Sequence, residues 1–218
     1  MKSPYFLSFL LAVALLVMSL TLFFTSKKTD DVTTVEVATA NVDTASIVLN
    51  NIYTRTSIRD YTSEPVSEEQ ITALLRAAMA APTARNRQPW QFVVVDDRAT
   101  LDRFVEVSGG MSMAAKAPLA IVVCATVDPT IQPANGCGHW VQDASAATEN
   151  ILLAAHALQL GAVWTSVYPV EERLSGVIPI VELPSDVTPL NVIFIGHPAE
   201  DPAPKDKWKP EKIHRNHW

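Results

Sequence analysis

The chain opens on an unbroken apolar run. Residues 6–24 are mostly Leu, Val, Ala and Phe, and no charged residue lies between Ser3 and Ser26. A helix that crosses a bilayer needs about 20 apolar residues, whereas a signal-peptide core usually has about 7–15. The length of the run and the bulky Leu22-Phe23-Phe24 near its end favour an uncleaved anchor. Residues 1–26 are thus expected to be a membrane anchor or signal segment that holds the protein at a membrane through residues 4–25, with export after cleavage as the alternative. Lys2 before the run and Lys27 and Lys28 after it leave the orientation open. Residues 27–46 carry Thr, Val, Asp and Ala with no helical stripe and read as a linker.

From residue 47 the pattern changes. Residues 47–53 read as a short helix. Ser67 and Gln70 have the spacing of a capping box, in which hydroxyl and amide satisfy free N–H groups at a helix start. The helix continues with Ile71, Leu74, Leu75 and Ala78 on one face and stops before Pro82. Residues 91–95 form a β-branched and aromatic strand, and residues 101–107 a helix. Residues 119–127 are almost wholly apolar, which implies a strand buried on both faces. Residues 139–160 make the longest helix, with Gly161 placed to end it. Residues 162–167 read as a strand, 170–177 as a helix and 190–195 as a final strand. The Pro-rich end reads as an arm over a surface. Strands alternating with helices give an α/β or α+β sheet domain over residues 47–218.

Composition narrows the function classes. The chain has 218 residues, 48% hydrophobic and 18% charged, enough for a packed core. Its net charge of −6 argues against a nucleic-acid partner. Cys124 and Cys137 lack metal-ligand spacing and read as two buried thiols. The five histidines lack it too, and His156 reads as part of a packed helix face. With 7 glycines there is no G-x-G-x-x-G or P-loop.

Three segments carry chemistry. In extended Arg55-Thr56-Ser57-Ile58-Arg59, residues two apart share a face, so Arg55, Ser57 and Arg59 present two guanidinium forks and a hydroxyl, a set that suits phosphate. In Pro82-Thr83-Ala84-Arg85-Asn86-Arg87-Gln88-Pro89-Trp90, two prolines stiffen a loop whose Asn86 and Gln88 amides can both donate and accept, as the edge of a heterocycle requires. In Trp164-Thr165-Ser166-Val167-Tyr168-Pro169, a buried strand ends where ligands of α/β sheets bind.

Together these segments resemble, in order and wording, the nitroreductase family of FMN-dependent NAD(P)H oxidoreductases, over nearly all of residues 47–218. Arg55, Thr56, Ser57 and Arg59 are similar to the family's opening R-x-S-x-R, which holds the FMN phosphate and ribityl chain. Pro82, Thr83, Asn86 and Gln88 resemble its P-[ST]-x-x-N-x-Q-P-W loop. Thr165, Ser166 and Val167 fall where the family's backbone approaches the flavin. Arg215 resembles the basic residue of a C-terminal arm that returns to the phosphate, although His217 stands where the family has Arg or Lys.

The resemblance implies an α+β fold, a three-layer α-β-α sandwich around a mostly antiparallel sheet, built as an intertwined homodimer with FMN at the interface. NADH or NADPH would supply electrons, and a small flat acceptor such as a nitroaromatic or quinone would take them. It also implies no protein nucleophile or general acid. Flavin reductase, dehalogenase or flavin-destroying chemistry on the same fold, or flavin binding without catalysis, stay open as alternatives.

Overall fold

The computed structural model describes residues 43–127 and 138–218. The apolar run at residues 4–25, most of the expected linker and Cys137 lie outside them. Among the described residues no helix is long and apolar enough to cross a membrane. The expected membrane anchoring is therefore corrected: the described chain carries no element that supports it.

Helix α1, Thr44–Thr54, starts inside the stretch read as linker. None of its residues is buried, and Ile47, Ile52 and Tyr53 face outward. Helix α2, Glu68–Met79, begins on the expected capping box. Gln70 N–H donates to Ser67 Oγ, and Ser67 N–H donates to Gln70 Oε1 at 2.9 Å. Its inward face is Ile71, Leu74 and Ala78. Strand β1 is Trp90–Val95, helix α3 Arg98–Val107 and strand β2 Leu119–Thr126. Helix α4 is His139–Ala157, strand β3 Gly161–Ser166, helix α5 Glu171–Val177 and strand β4 Val187–Gly196.

The strands form one antiparallel sheet in the order β1-β2-β4-β3. The two-sided burial expected of β2 follows from helices on both faces. Leu119, Ile121, Val123 and Ala125 point into a core with α2 and α4. Ala120, Val122 and Cys124 point into a second core with Leu101 and Phe104 of α3 and Val177 of α5. The fold is thus a three-layer α+β sandwich. Burial holds Cys124 as a thiol, its pKa pushed up to about 12.

The junction between α4 and β3 departs from the expectation. The left-handed residue that ends α4 is Gln159 at φ 60°, not Gly161. Gly161 already belongs to β3, and its missing side chain is required for another reason: a Cβ there would lie 2.6 Å from Ile58 Cγ2. Ile58 N–H donates to Ala162 O at 3.1 Å, which pins residues 55–59 along the free edge of β3.

Candidate functional site

The chemistry-bearing segments fall into separate groups within one chain. The loop of residues 82–90 lies where β1 begins. Arg85, Asn86 and Gln88 all take left-handed backbone conformations, with φ of 56°, 53° and 52°. Such conformations cost energy for side-chain-bearing residues and persist only where neighbours enforce them. Here Gln88 N–H donates to Thr83 Oγ1 at 3.1 Å, and Ala84 N–H donates to Asp143 Oδ1 at 2.8 Å. Thr83 thus works as scaffold for the loop. Pro89 O accepts from Thr126 N–H at 2.9 Å, which ties the loop to the end of β2.

Gln88 Nε2 donates to Asn86 Oδ1 at 3.0 Å. That bond spends one donor and one acceptor and leaves the Asn86 amide N–H pair and Gln88 Oε1 unspent among the described residues. The loop therefore presents a donor beside an acceptor, the complement of a heterocycle edge that carries C=O next to N–H. Gln88 and Pro89 border a cavity of about 680 Å³, shared with Arg85, Arg87, His139 and Trp140.

Thr54 and Arg55 dock on the side of α4, Thr54 at its last turn and Arg55 near its middle. Arg55 Nε lies 3.7 Å from Glu149 Oε1, and the Arg55 side chain is 18% exposed. Its terminal nitrogens form no hydrogen bond among the described residues, which leaves a guanidinium fork for an anion. Ile58 is buried while Arg59 is exposed, so the expected alternation holds at these positions. Glu200 Oε1 accepts from the N–H groups of Arg59 and Asp60. Thr56 lines a smaller cleft of about 390 Å³ with His156 and Pro198. Thr54 Oγ1 donates to Asn50 O at 2.7 Å, so it accepts from His156 Nε2–H at 2.9 Å. Burial, then the Arg55 charge, holds the His156 pKa below its usual value.

At the end of β3, Thr165 is buried and Ser166 is exposed. Ser166 O accepts from Arg173 Nη1 at 2.7 Å, and Ser166 Oγ from Trp164 Nε1 at 3.1 Å. Val167 is wholly buried and its N–H donates to Leu190 O, so its backbone donor is already spent. Arg215 is exposed and forms no ion pair or hydrogen bond among the described residues; beside it His214 stacks on Trp218 at 4.2 Å.

Register sets the spacing between these groups. Ser166 pairs with Asn191, Asn191 with Val123, and Val123 with Phe92. The loop and Ser166 share one end of the sheet but stand three strand spacings apart, roughly 14 Å. From Asp143, which holds the loop, to His156, which meets Thr54, is thirteen residues of helix, roughly 20 Å.

The sequence reading missed Asp143, Glu149 and Arg173. Asp143 had a usable signal: it falls four residues before Ala147 on the inward face of α4, where a buried carboxylate needs a partner. Arg173 had none, because its contact with Ser166 depends on how α5 folds back over β3.

The sequence pattern of the Nitroreductase family matches residues 52–197. The chain belongs to the nitroreductase family. It is 46% identical over 171 residues to a protein of Methanothermobacter thermautotrophicus named as a candidate NADH dehydrogenase/NAD(P)H nitroreductase, covering 78% of this chain and 87% of that one. A crystal structure from Parabacteroides distasonis with the same kind of name superposes with a TM-score of 0.73 at 43% identity, covering 79% of this chain and 99% of the other. An FMN-dependent nitroreductase from Clostridium difficile superposes with a TM-score of 0.70 at 28% identity, covering 78% and 99%. The protein is an oxidoreductase. Its matched span takes in the Arg55–Arg59 segment, the amide loop and the end of β3, and it stops before Arg215.

Proposed function

We propose that this nitroreductase binds FMN and passes electrons from NADH or NADPH through it to a small flat acceptor, a nitroaromatic or a quinone. The observation that carries this reading is the pair of unspent donor sets. The Arg55 fork and Ser57 suit a phosphate, and the outward amides of Asn86 and Gln88 suit a flavin edge. Bound FMN would supply the redox chemistry, as a two-electron carrier between the nicotinamide and the acceptor, with protons exchanged with solvent. The chain's own work is to hold the cofactor. Arg55, Thr56, Ser57 and Arg59 would take the phosphate and ribityl end. Pro82, Thr83, Asn86 and Gln88 would shape the ring pocket, and Thr165 and Ser166 would border it. Arg215 would close over the phosphate.

The same reading makes the protein a homodimer. The amide loop docks near the start of α4, at Asp143, whereas the Arg55 segment docks from its middle, at Glu149, to its last turn, at His156, so within one chain the two donor sets lie apart along the helix. A site that takes the Arg55 segment from one protomer and the amide loop from its partner would bring the two sets together. The outward Ile47, Ile52 and Tyr53 of α1 supply apolar surface for such a contact.

An absorbance spectrum of the full chain, followed by anaerobic titration with NADH and then NADPH, tests the proposal. The expected protein is yellow and bleaches with either or both nucleotides. A colourless protein that takes up no added FMN would refute it.

A further inference from the structure

The cavity beside the amide loop has a charge pattern that flavin binding leaves unused. Among the described residues its wall carries Arg85 and Arg87, the imidazole of His139 and a single carboxylate, Asp143. Asp143 is buried and already accepts from Ala84 N–H. Neither Arg85 nor Arg87 forms an ion pair or side-chain hydrogen bond among the described residues. The first turn of α4 enters the same wall, and its N-cap, Gly138, brings no capping side chain. Amides of a first turn lack helical partners and carry partial positive charge. Trp140 is buried, lines the cavity, and has no hydrogen-bond partner at Nε1 among the described residues. Beside the polar Gln88, Gln91 and Thr126, the wall also has Pro89, Val127 and the Trp140 ring, apolar surface that accepts a flat ring. The volume, about 680 Å³, falls within the range of small-molecule sites.

We propose that this wall selects flat aromatic acceptors bearing a carboxylate or sulfonate, with the anionic group held between Arg85 and Arg87. The proposal rests on the flavin reading, because Gln88 borders the same cavity and so sets acceptor and flavin edge side by side. Charge-assisted bonds from two guanidinium groups favour an anion over a neutral isostere of the same shape. Among the described wall residues the two guanidinium groups face one carboxylate, Asp143, so the charge balance there stays positive.

Calorimetric titration of the FMN-loaded full chain with naphthalene-2-carboxylate and with naphthalene-2-carboxamide tests it. The carboxylate is expected to bind at least about fivefold tighter, and added salt is expected to shrink that advantage. In the Arg85→Gln/Arg87→Gln double variant the advantage is expected to vanish. Equal affinities in the wild-type protein would overturn the proposal, as would an advantage that survives the double substitution. The same variant is assayed for the ratio of KM for NADH to KM for NADPH. A change in that ratio with the carboxylate preference intact would assign the arginine pair to the nucleotide phosphate and overturn the proposal. FMN content, read from absorbance of the wild-type sample, separates the two failures. Absent flavin sinks the flavin reading itself, whereas normal flavin without anion preference sinks only this selectivity.

Discussion

Substituting Gly161 by Ala tests the tie between the fold and the proposed phosphate site. A Cβ at this position would sit 2.6 Å from Ile58 Cγ2, 2.7 Å from Ile58 Cβ and 3.0 Å from Ile58 Cγ1. Carbon atoms in contact prefer about 3.5–4.0 Å, so the overlap is close to an ångström. Ile58 has little room to give. Its N–H is bonded to Ala162 O at 3.1 Å, its carbonyl accepts from Tyr61 Oη–H at 2.6 Å, and its side chain is in the core shared by Val163 and Phe194. Overpacking of this kind costs about 1–3 kcal/mol. Domains of this size lose roughly 2–4 °C in Tm per kcal/mol, so a fall of about 2–12 °C is expected in thermal unfolding followed by circular dichroism. Ile58 lies between Ser57 and Arg59, so its displacement also shifts both, and FMN affinity measured by fluorescence quenching should fall in the same variant. Gly109→Ala is the control, because a Cβ there meets nothing within 4 Å. A Gly161→Ala protein with a Tm within about 1 °C of wild type would refute the packing argument. A lowered Tm with unchanged FMN affinity would keep the packing argument and reject the phosphate role of the segment.

Other substitutions test the loop, the phosphate face and the α1 contact. Asp143→Ala removes the acceptor of Ala84 N–H and should cost about 1–3 kcal/mol in urea unfolding while weakening FMN binding; Asp143→Asn, whose amide oxygen still accepts, should restore most of both. Arg55→Ala should lower FMN affinity by at least about tenfold, since charge-assisted contacts contribute about 1.5–3 kcal/mol; its long ion pair with the half-exposed Glu149 predicts little change in stability, and unchanged FMN retention would mean the fork points elsewhere. His156 has a folded-state pKa below its usual 6.5, so the unfolded chain binds the proton more readily. Its contribution to stability is therefore present above the unfolded pKa and lost as pH falls through the folded pKa. Wild-type protein should lose more stability than His156→Gln between about pH 8 and about pH 5; equal losses would remove His156 from the account.

The elements were legible in the sequence where local chemistry decides them. Ser67 and Gln70 spell their capping box within four residues, and the apolar run of β2 reports two covered faces whatever the order of its neighbours. The family resemblance rested on strings of the same local kind, and the match over residues 52–197 is its outcome. Placement in space was not legible, because the sheet order β1-β2-β4-β3 is set by pairings between residues far apart in sequence. Gly161 illustrates the limit. A glycine after a long helix fits a helix stop by its neighbours alone, yet the αL position fell to Gln159 and the glycine answers to Ile58, about a hundred residues earlier. The loop had the same ambiguity. Asn86 and Gln88 announce a heterocycle edge and Arg55 announces a phosphate, and their order along the chain suggests one continuous site. Only the length of α4, with Asp143 near its start and His156 at its last turn, separates the two ends. That separation makes Asp143 and Ile58 the informative positions: each controls one half of the proposed site through a contact with no ligand in it, so each half can be disturbed without touching the other.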